Sequence, residues 1–182
     1  LPAAVEVLTE GACSHLPMEG ISDFRAAPFG VAVALEEFVP AVARMSDEIT
    51  TMAKSHGAAT NNRLKDHQHQ AFWLAVSKLG QTLEKENPGL MTLKVNSPVS
   101  EWATTFKSLE TAFSGASLPC ALQAHAGNGV CLASLLLDGK DDGVMEKAVG
   151  TVNRLSSLFS ETDGSLVVQT VPSRWKAQLN IW

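Results

Sequence analysis

The sequence predicts an α+β domain organised around an antiparallel sheet. Three observations carry that prediction. Residues 90–171 alternate strand-like and helical patterns in the order β-α-β-β-α-β. Asn128-Gly129 sits between two strand-like runs, and Asn-Gly in that setting is the strongest short-range hairpin signal. The 182 residues are 45% apolar and 18% charged. That is globular composition in a chain long enough to build a core without disulfide or metal staples.

The order β-α-β-β-α-β is the ferredoxin-like split βαβ unit, an antiparallel sheet with both helices on one face. Its elements are justified in turn. Leu90 to Val95 reads as a strand. Ser97-Pro98 then offers an N-cap and a proline at the first helical position. Trp102, Phe106, Leu109 and Phe113 make the apolar stripe of the following helix, and Gly115 to Pro119 breaks it. Cys120 to Ala126 and Val130 to Leu137 are strands around the Asn-Gly turn. Asp141 and Asp142 place negative charge in the first turn of a second helix, as the macrodipole favours. Met145, Ala148, Val149, Val152, Leu155 and Phe159 form its stripe, Asp163-Gly164 ends it, and Ser165 to Val171 is the last strand.

Ahead of this unit the pattern predicts an N-terminal strand–helix–helix extension. Phe29 to Leu35 is a short β-compatible run. Pro40 to His56 carries Val42, Met45, Ile49 and Met52 at helical spacing, with Gly57 at the C-cap position. Lys65 to Asn87 is a second helix, with Phe72, Val76, Leu79 and Leu83 on one face. Residues 9–28, rich in Gly, Pro, Ser and Ala, read as irregular connection.

The formal net charge is −5, which disfavours non-specific nucleic-acid binding. No apolar run reaches the roughly 18 residues of a membrane span. Residues 1–12 have no basic flank before their apolar part, so no signal peptide is expected. Cys13, Cys120 and Cys131 are odd in number and lack CxxC spacing. They are expected to be free thiols, buried or half-buried, in a reducing compartment. A chain that opens on Leu1-Pro2 rather than Met reads as cut from a longer protein.

A sheet with helices on one face leaves the other uncovered. Strand alternation assigns Thr92, Lys94, Gln123, His125 and Gln169 to that polar face. A basic residue, an imidazole and amides suit a small anionic or carbonyl-bearing ligand, and they equally suit plain solvent. His67 and His69, two apart on a helix, do not share a face and are not expected to chelate. Phe72-Trp73 and Trp102 are expected in core or domain contacts. No GxGxxG, P-loop or nucleophile elbow is present.

With Asn128-Gly129 as a two-residue turn, Gly127 should pair with Val130, Ala126 with Cys131, and His125 with Leu132. That register gives His125 an aliphatic neighbour and no second metal anchor, and Lys94 nearby would repel a cation. No metal is therefore expected.

Gln123-Ala124-His125-Ala126-Gly127-Asn128-Gly129-Val130 resembles the C-terminal domain motif of FAD-linked oxidases of the vanillyl-alcohol oxidase type. The D-lactate dehydrogenase and glycolate oxidase branches commonly carry His-x-Gly-Asp-Gly-Asn-x-His in this hairpin. Leu1-Pro2-Ala3-Ala4-Val5-Glu6-Val7-Leu8 resembles the Pro-Ala-Ala-Leu-Glu-Leu-Leu segment that enters the domain. Leu93-Lys94-Val95-Asn96-Ser97-Pro98 resembles a family strand with a basic residue followed by a Ser/Pro turn. Gly164 to Val168, Pro172, Trp175-Lys176 and Ile181-Trp182 resemble the end of the glycolate oxidase FAD-binding subunit.

The departures have a direction. Asn128 stands where the metal-binding branches have Asp, Val130 where they have Asn, and Leu132 where they have the second His. No Gly-Glu-His-Gly follows the last helix. The resemblance is thus to the glycolate oxidase FAD-binding-subunit branch.

What it implies is a cap domain, residues 29–182, entered through a connecting segment, residues 1–28, from a missing flavin domain that holds FAD. The chain alone is expected to lack FAD and activity. The full protein would oxidise a small 2-hydroxy acid of glycolate or D-lactate type, with His125 catalytic, Lys94 and Gln123 binding substrate, and Asn128 touching the cofactor. Its partners would be its own FAD-binding domain and other oxidase subunits, including an iron–sulphur subunit. It would be cytoplasmic, or membrane-associated through those subunits. The rivals are a ferredoxin-like ligand-binding or dimerisation module without flavin, and a metal-dependent dehydrogenase cap.

Overall fold

A computed structural model describes residues 1–16 and 27–179. Thirteen elements follow in order: β1 (Ala4–Thr9), α1 (Glu10–Cys13), β2 (Phe29–Ala34), α2 (Val39–Ser55), α3 (Asp66–Glu86), β3 (Met91–Asn96), a 3-10 turn (Val99–Glu101), α4 (Trp102–Gly115), β4 (Cys120–His125), β5 (Val130–Leu135), α5 (Asp142–Ser160), β6 (Ser165–Thr170) and a 3-10 segment (Ser173–Gln178). The strands form one six-stranded sheet in the order β2-β1-β4-β5-β3-β6, and every neighbouring pair is antiparallel. The β4-β5-β3-β6 part, with α4 and α5, is the ferredoxin-like unit, so the α+β expectation holds.

Two cores lie on opposite faces of the sheet, as the alternation of a pleated strand requires. On one face Val7, Leu93, Val95, Leu122, Ala124, Cys131, Ala133 and Leu135 pack against Phe106, Leu109 and Phe113 of α4 and Met145, Val149, Val152 and Phe159 of α5. Asp141 caps α5 by accepting from Val144 N–H at 3.1 Å. On the other face Leu8, Ala121 and Leu90 meet Phe72, Val76, Leu79 and Leu83, the apolar stripe of α3. The face expected to be uncovered is therefore partly roofed by α3. α2 buries no residue and is laced instead by exposed charge pairs, Arg44 with Glu48 at 3.0 Å and Arg63 with Asp47 at 2.7 Å.

Three sequence readings need correction. Residues 1–28 are not connection throughout, because Ala4–Thr9 is an interior strand between β2 and β4. It was hidden because Val7 and Leu8 are both buried, each in a different core, and a strand buried on two faces shows little alternation. Residues 17–26 of that span, and Ile181-Trp182 of the tail, lie outside the described residues.

The hairpin register is the second correction. His125 pairs with Val130, Ala124 with Cys131, and Gln123 with Leu132. The loop is four residues long because only Gly129 takes a positive φ, +75°, whereas a two-residue type I′ turn needs two such residues. Asn128 N–H donates to His125 O at 3.1 Å, and Asn128 Oδ1 accepts from Val130 N–H at 3.2 Å. Ala126 N–H is drawn to Val5 O of β1 at 3.0 Å rather than to β5.

Third, Ser97 caps no helix. Its N–H and Oγ both donate to Gly129 O, at 2.9 and 3.2 Å, clamping the hairpin tip. The backbones approach so closely that a Cβ on Gly129 would lie 2.1 Å from Ser97 O.

Candidate functional site

The roof formed by α3 does not extend over the whole sheet face. Beyond its apolar stripe a cleft of about 340 Å³ opens between Val76, Ser77, Gly80, Gln81 and Glu84 of α3 and a sheet floor of Leu90, Thr92, Gln123, His125, Leu132, Gln169 and Thr170. Four of the five polar-face residues expected from alternation, Thr92, Gln123, His125 and Gln169, thus meet in one place. Gln169 arrives by an irregularity: Thr92 pairs with Thr170 and Leu93 with Val168, so Gln169 is the extra residue of a β-bulge. Thr92 Oγ1 stands 3.5 Å from Ser134 Oγ on the same face.

The cleft is anchored by a residue the sequence reading overlooked. Glu6 of β1 pairs across the strands with His125 of β4, and it is buried, at 6% exposure. His125 Nδ1 lies 2.6 Å from Glu6 Oε1, and Gln123 Nε2 donates to Glu6 Oε2 at 3.1 Å. Directly opposed and diagonal side chains on one sheet face come close enough to interact in this way. His125 is half-buried with its pKa raised. The hydrogen bond to Glu6 is the largest cause, burial opposes it, the Glu6 charge adds to it, and the charge of Lys94 opposes it. The signal for Glu6 was present as a lone acid in the apolar run Val5-Glu6-Val7-Leu8. Without recognising the strand, nothing placed it opposite His125.

The other expected residues are placed as follows. Lys94 is half-buried on the same face, between Leu132 of β5 and Val167 of β6, outside the cleft lining. Gln123 lines the cleft, but its amide N–H serves Glu6. Asn128 is exposed at the hairpin tip, its side-chain oxygen accepting from Val130 N–H. His69 contacts Trp73, with ring centroids 6.3 Å apart. Cys13 and Cys131 are buried and Cys120 half-buried, all free. Burial pushes each thiol up to about 11, so none is a ready nucleophile at neutral pH.

These groups suit a small polar ligand rather than the phosphates of a dinucleotide. The cleft is at the small end for ligand pockets, and its lining contains no Lys or Arg to clamp phosphates. Its amides, hydroxyls and single imidazole can bind and orient a small polar molecule and exchange a proton with it. No helix among the described residues is long and apolar enough to cross a membrane.

No curated protein matches the chain. A family does, described as FAD linked oxidases, C-terminal domain, over residues 25–168. That span holds α3, the ferredoxin-like strands β3 to β5, both covering helices and most of the cleft, so the chain belongs to the FAD-linked oxidase C-terminal domain family.

Proposed function

We propose that this domain forms the substrate side of a flavin-dependent oxidoreductase that oxidises a small 2-hydroxy acid of glycolate or D-lactate type, as in the glycolate oxidase FAD-binding subunit. The observation that carries the reading is the half-open cleft at His125, whose imidazole is tethered to a buried carboxylate within an FAD-linked oxidase domain. The FAD, held by a companion FAD-binding domain, supplies the acceptor for the hydride from the substrate carbon.

This chain's residues do the rest. His125 accepts the proton of the substrate hydroxyl as general base. Lys94, on the same sheet face, draws the carboxylate. Gln123 offers its amide oxygen, and Asn128 turns its amide N–H₂ toward the companion domain and the flavin edge. Val76 and Leu132 give the cleft its apolar side. The wider assembly, with an iron–sulphur subunit and a cytoplasmic or membrane-associated position, belongs to the same proposal.

The test is substrate-dependent flavin reduction by the longer protein that joins this domain to its flavin domain. Glycolate or D-lactate should reduce the flavin, and His125→Asn should slow that reduction by about 10²–10⁴-fold, the usual share of a general base, with flavin content unchanged. Equal reduction rates in wild type and variant would reject the reading.

A further inference from the structure

We infer that Glu6 is the positioning residue of this site: anchored by Gln123, its buried carboxylate holds His125 with Nδ1–H engaged and presents Nε2 to the cleft as the proton acceptor. The inference rests on the functional reading above and names a device within it.

Glu6 Oε1 is 2.6 Å from Nδ1, and a carboxylate can only accept, so the proton of the neutral ring lies on Nδ1 and the lone pair on Nε2. A general base needs that lone pair. Gln123 fixes the second carboxylate oxygen at 3.1 Å, so the acid cannot rotate away without breaking two hydrogen bonds. The backbone sets the spacing, since Glu6 and His125 are directly opposed in the β1–β4 ladder and Gln123 lies two residues along the same strand. Burying a carboxylate with no Lys or Arg ion-pair partner among the described residues is costly. An apolar residue beside Ala32, its neighbour on β2, would avoid that cost. Control of the imidazole is what the acid provides in return.

In the step concerned, the substrate O–H bond breaks and an N–H bond forms at Nε2. The electron pair left on oxygen becomes the second C–O bond as the hydrogen on carbon leaves with its own pair to the oxidised flavin. The imidazolium so formed lies beside the Glu6 carboxylate, which stabilises it, while Lys94 works against it. Glu84 of α3 is the acid that lines the cleft itself.

The first test is nitrogen-detected NMR of the His125 ring in the full chain across pH. Wild type should show the Nδ1–H tautomer and a titration midpoint above the ordinary histidine value of about 6.5. Glu6→Gln should lower the midpoint, because the hydrogen bond and charge that raise it are lost, and shift population to Nε2–H. Should Glu6→Gln fail to fold, Gln123→Met keeps the acid and removes only its anchor, and it should move both readouts the same way by less. An unchanged tautomer and midpoint in the folded variant, or Nε2–H dominant in wild type, overturns the inference.

In the flavin-containing protein, Glu6→Gln should cut kcat on the order of a hundredfold, leave KM within a few-fold, and move the pH–rate midpoint to lower pH. Glu6→Asp should restore part of the loss. An intact Glu6–His125 coupling with no response of the His125 ring to glycolate would overturn the functional reading instead, which keeps the two failures distinguishable.

Discussion

The two faces of the sheet are built from the same strands and have opposite characters. Under α4 and α5, Leu93, Val95, Leu122, Ala124, Cys131, Ala133 and Leu135 are all fully buried and all apolar. Under α3, among the described residues, Leu8, Ala121 and Leu90 are covered, and the same face buries the polar side chains of Glu6, Gln123 and Ser134. The first face provides cohesion. The second keeps polar groups dry enough for their hydrogen bonds to strengthen, yet leaves His125 reachable from the cleft. A single helix with a narrow apolar stripe makes the difference, because it covers one end of the sheet and stops.

The sharpest break in that comparison comes from truncating each core. Phe113→Ala, beneath the closed face, should cost about 3–5 kcal/mol in denaturant unfolding. Leu79→Ala on α3 should cost less, about 2–3 kcal/mol, because a side chain beside an open cleft leaves a site that can collapse. Its amide exchange should rise first in α3 and β1, while β3 and β5 stay protected. Equal costs and uniform exchange would mean that the two faces are one cooperative unit.

A smaller effect separates the faces by pH. His125 has a folded pKa above its unfolded value, so its contribution to stability is fully present below about 6.5 and is lost as pH rises through the raised folded value. Thermal melts should show the midpoint falling across that window in wild type. Glu6→Gln should flatten the decline. A substitution confined to the closed face, such as Val152→Ala, should lower the whole curve without changing its slope.

The smallest effect belongs to the surface. Arg44→Ala removes an exposed pair with Glu48 on α2 and should change stability by no more than about 0.5 kcal/mol, read as an unmoved denaturation midpoint.

The ferredoxin-like half was legible because each of its elements announces itself locally. Trp102, Phe106, Leu109 and Phe113 recur at helical spacing, Asp141 is a capping acid, and Asn128-Gly129 marks a turn. The polar face was legible for the same reason, since period-two alternation assigns Thr92, Gln123 and His125 to one side whatever they pair with. Register was not. Shifting the hairpin by two residues keeps every side chain on its face, so the pattern at 120–135 could not choose between Leu132 and Val130 as the partner of His125. Ala126, taken up by β1, made the choice.

Composition, periodicity and the hairpin motif of this chain determined its class, its family resemblance and the side of the sheet on which polar chemistry would collect. These are short-range properties, written within a turn or a strand. Only the tertiary structure decided that residues 4–9 enter the sheet, that Glu6 meets His125 across 119 residues of chain, and that α3 roofs part of the face. Each depends on which strand lies beside which, and that is settled by the burial of two cores at once rather than by any local preference.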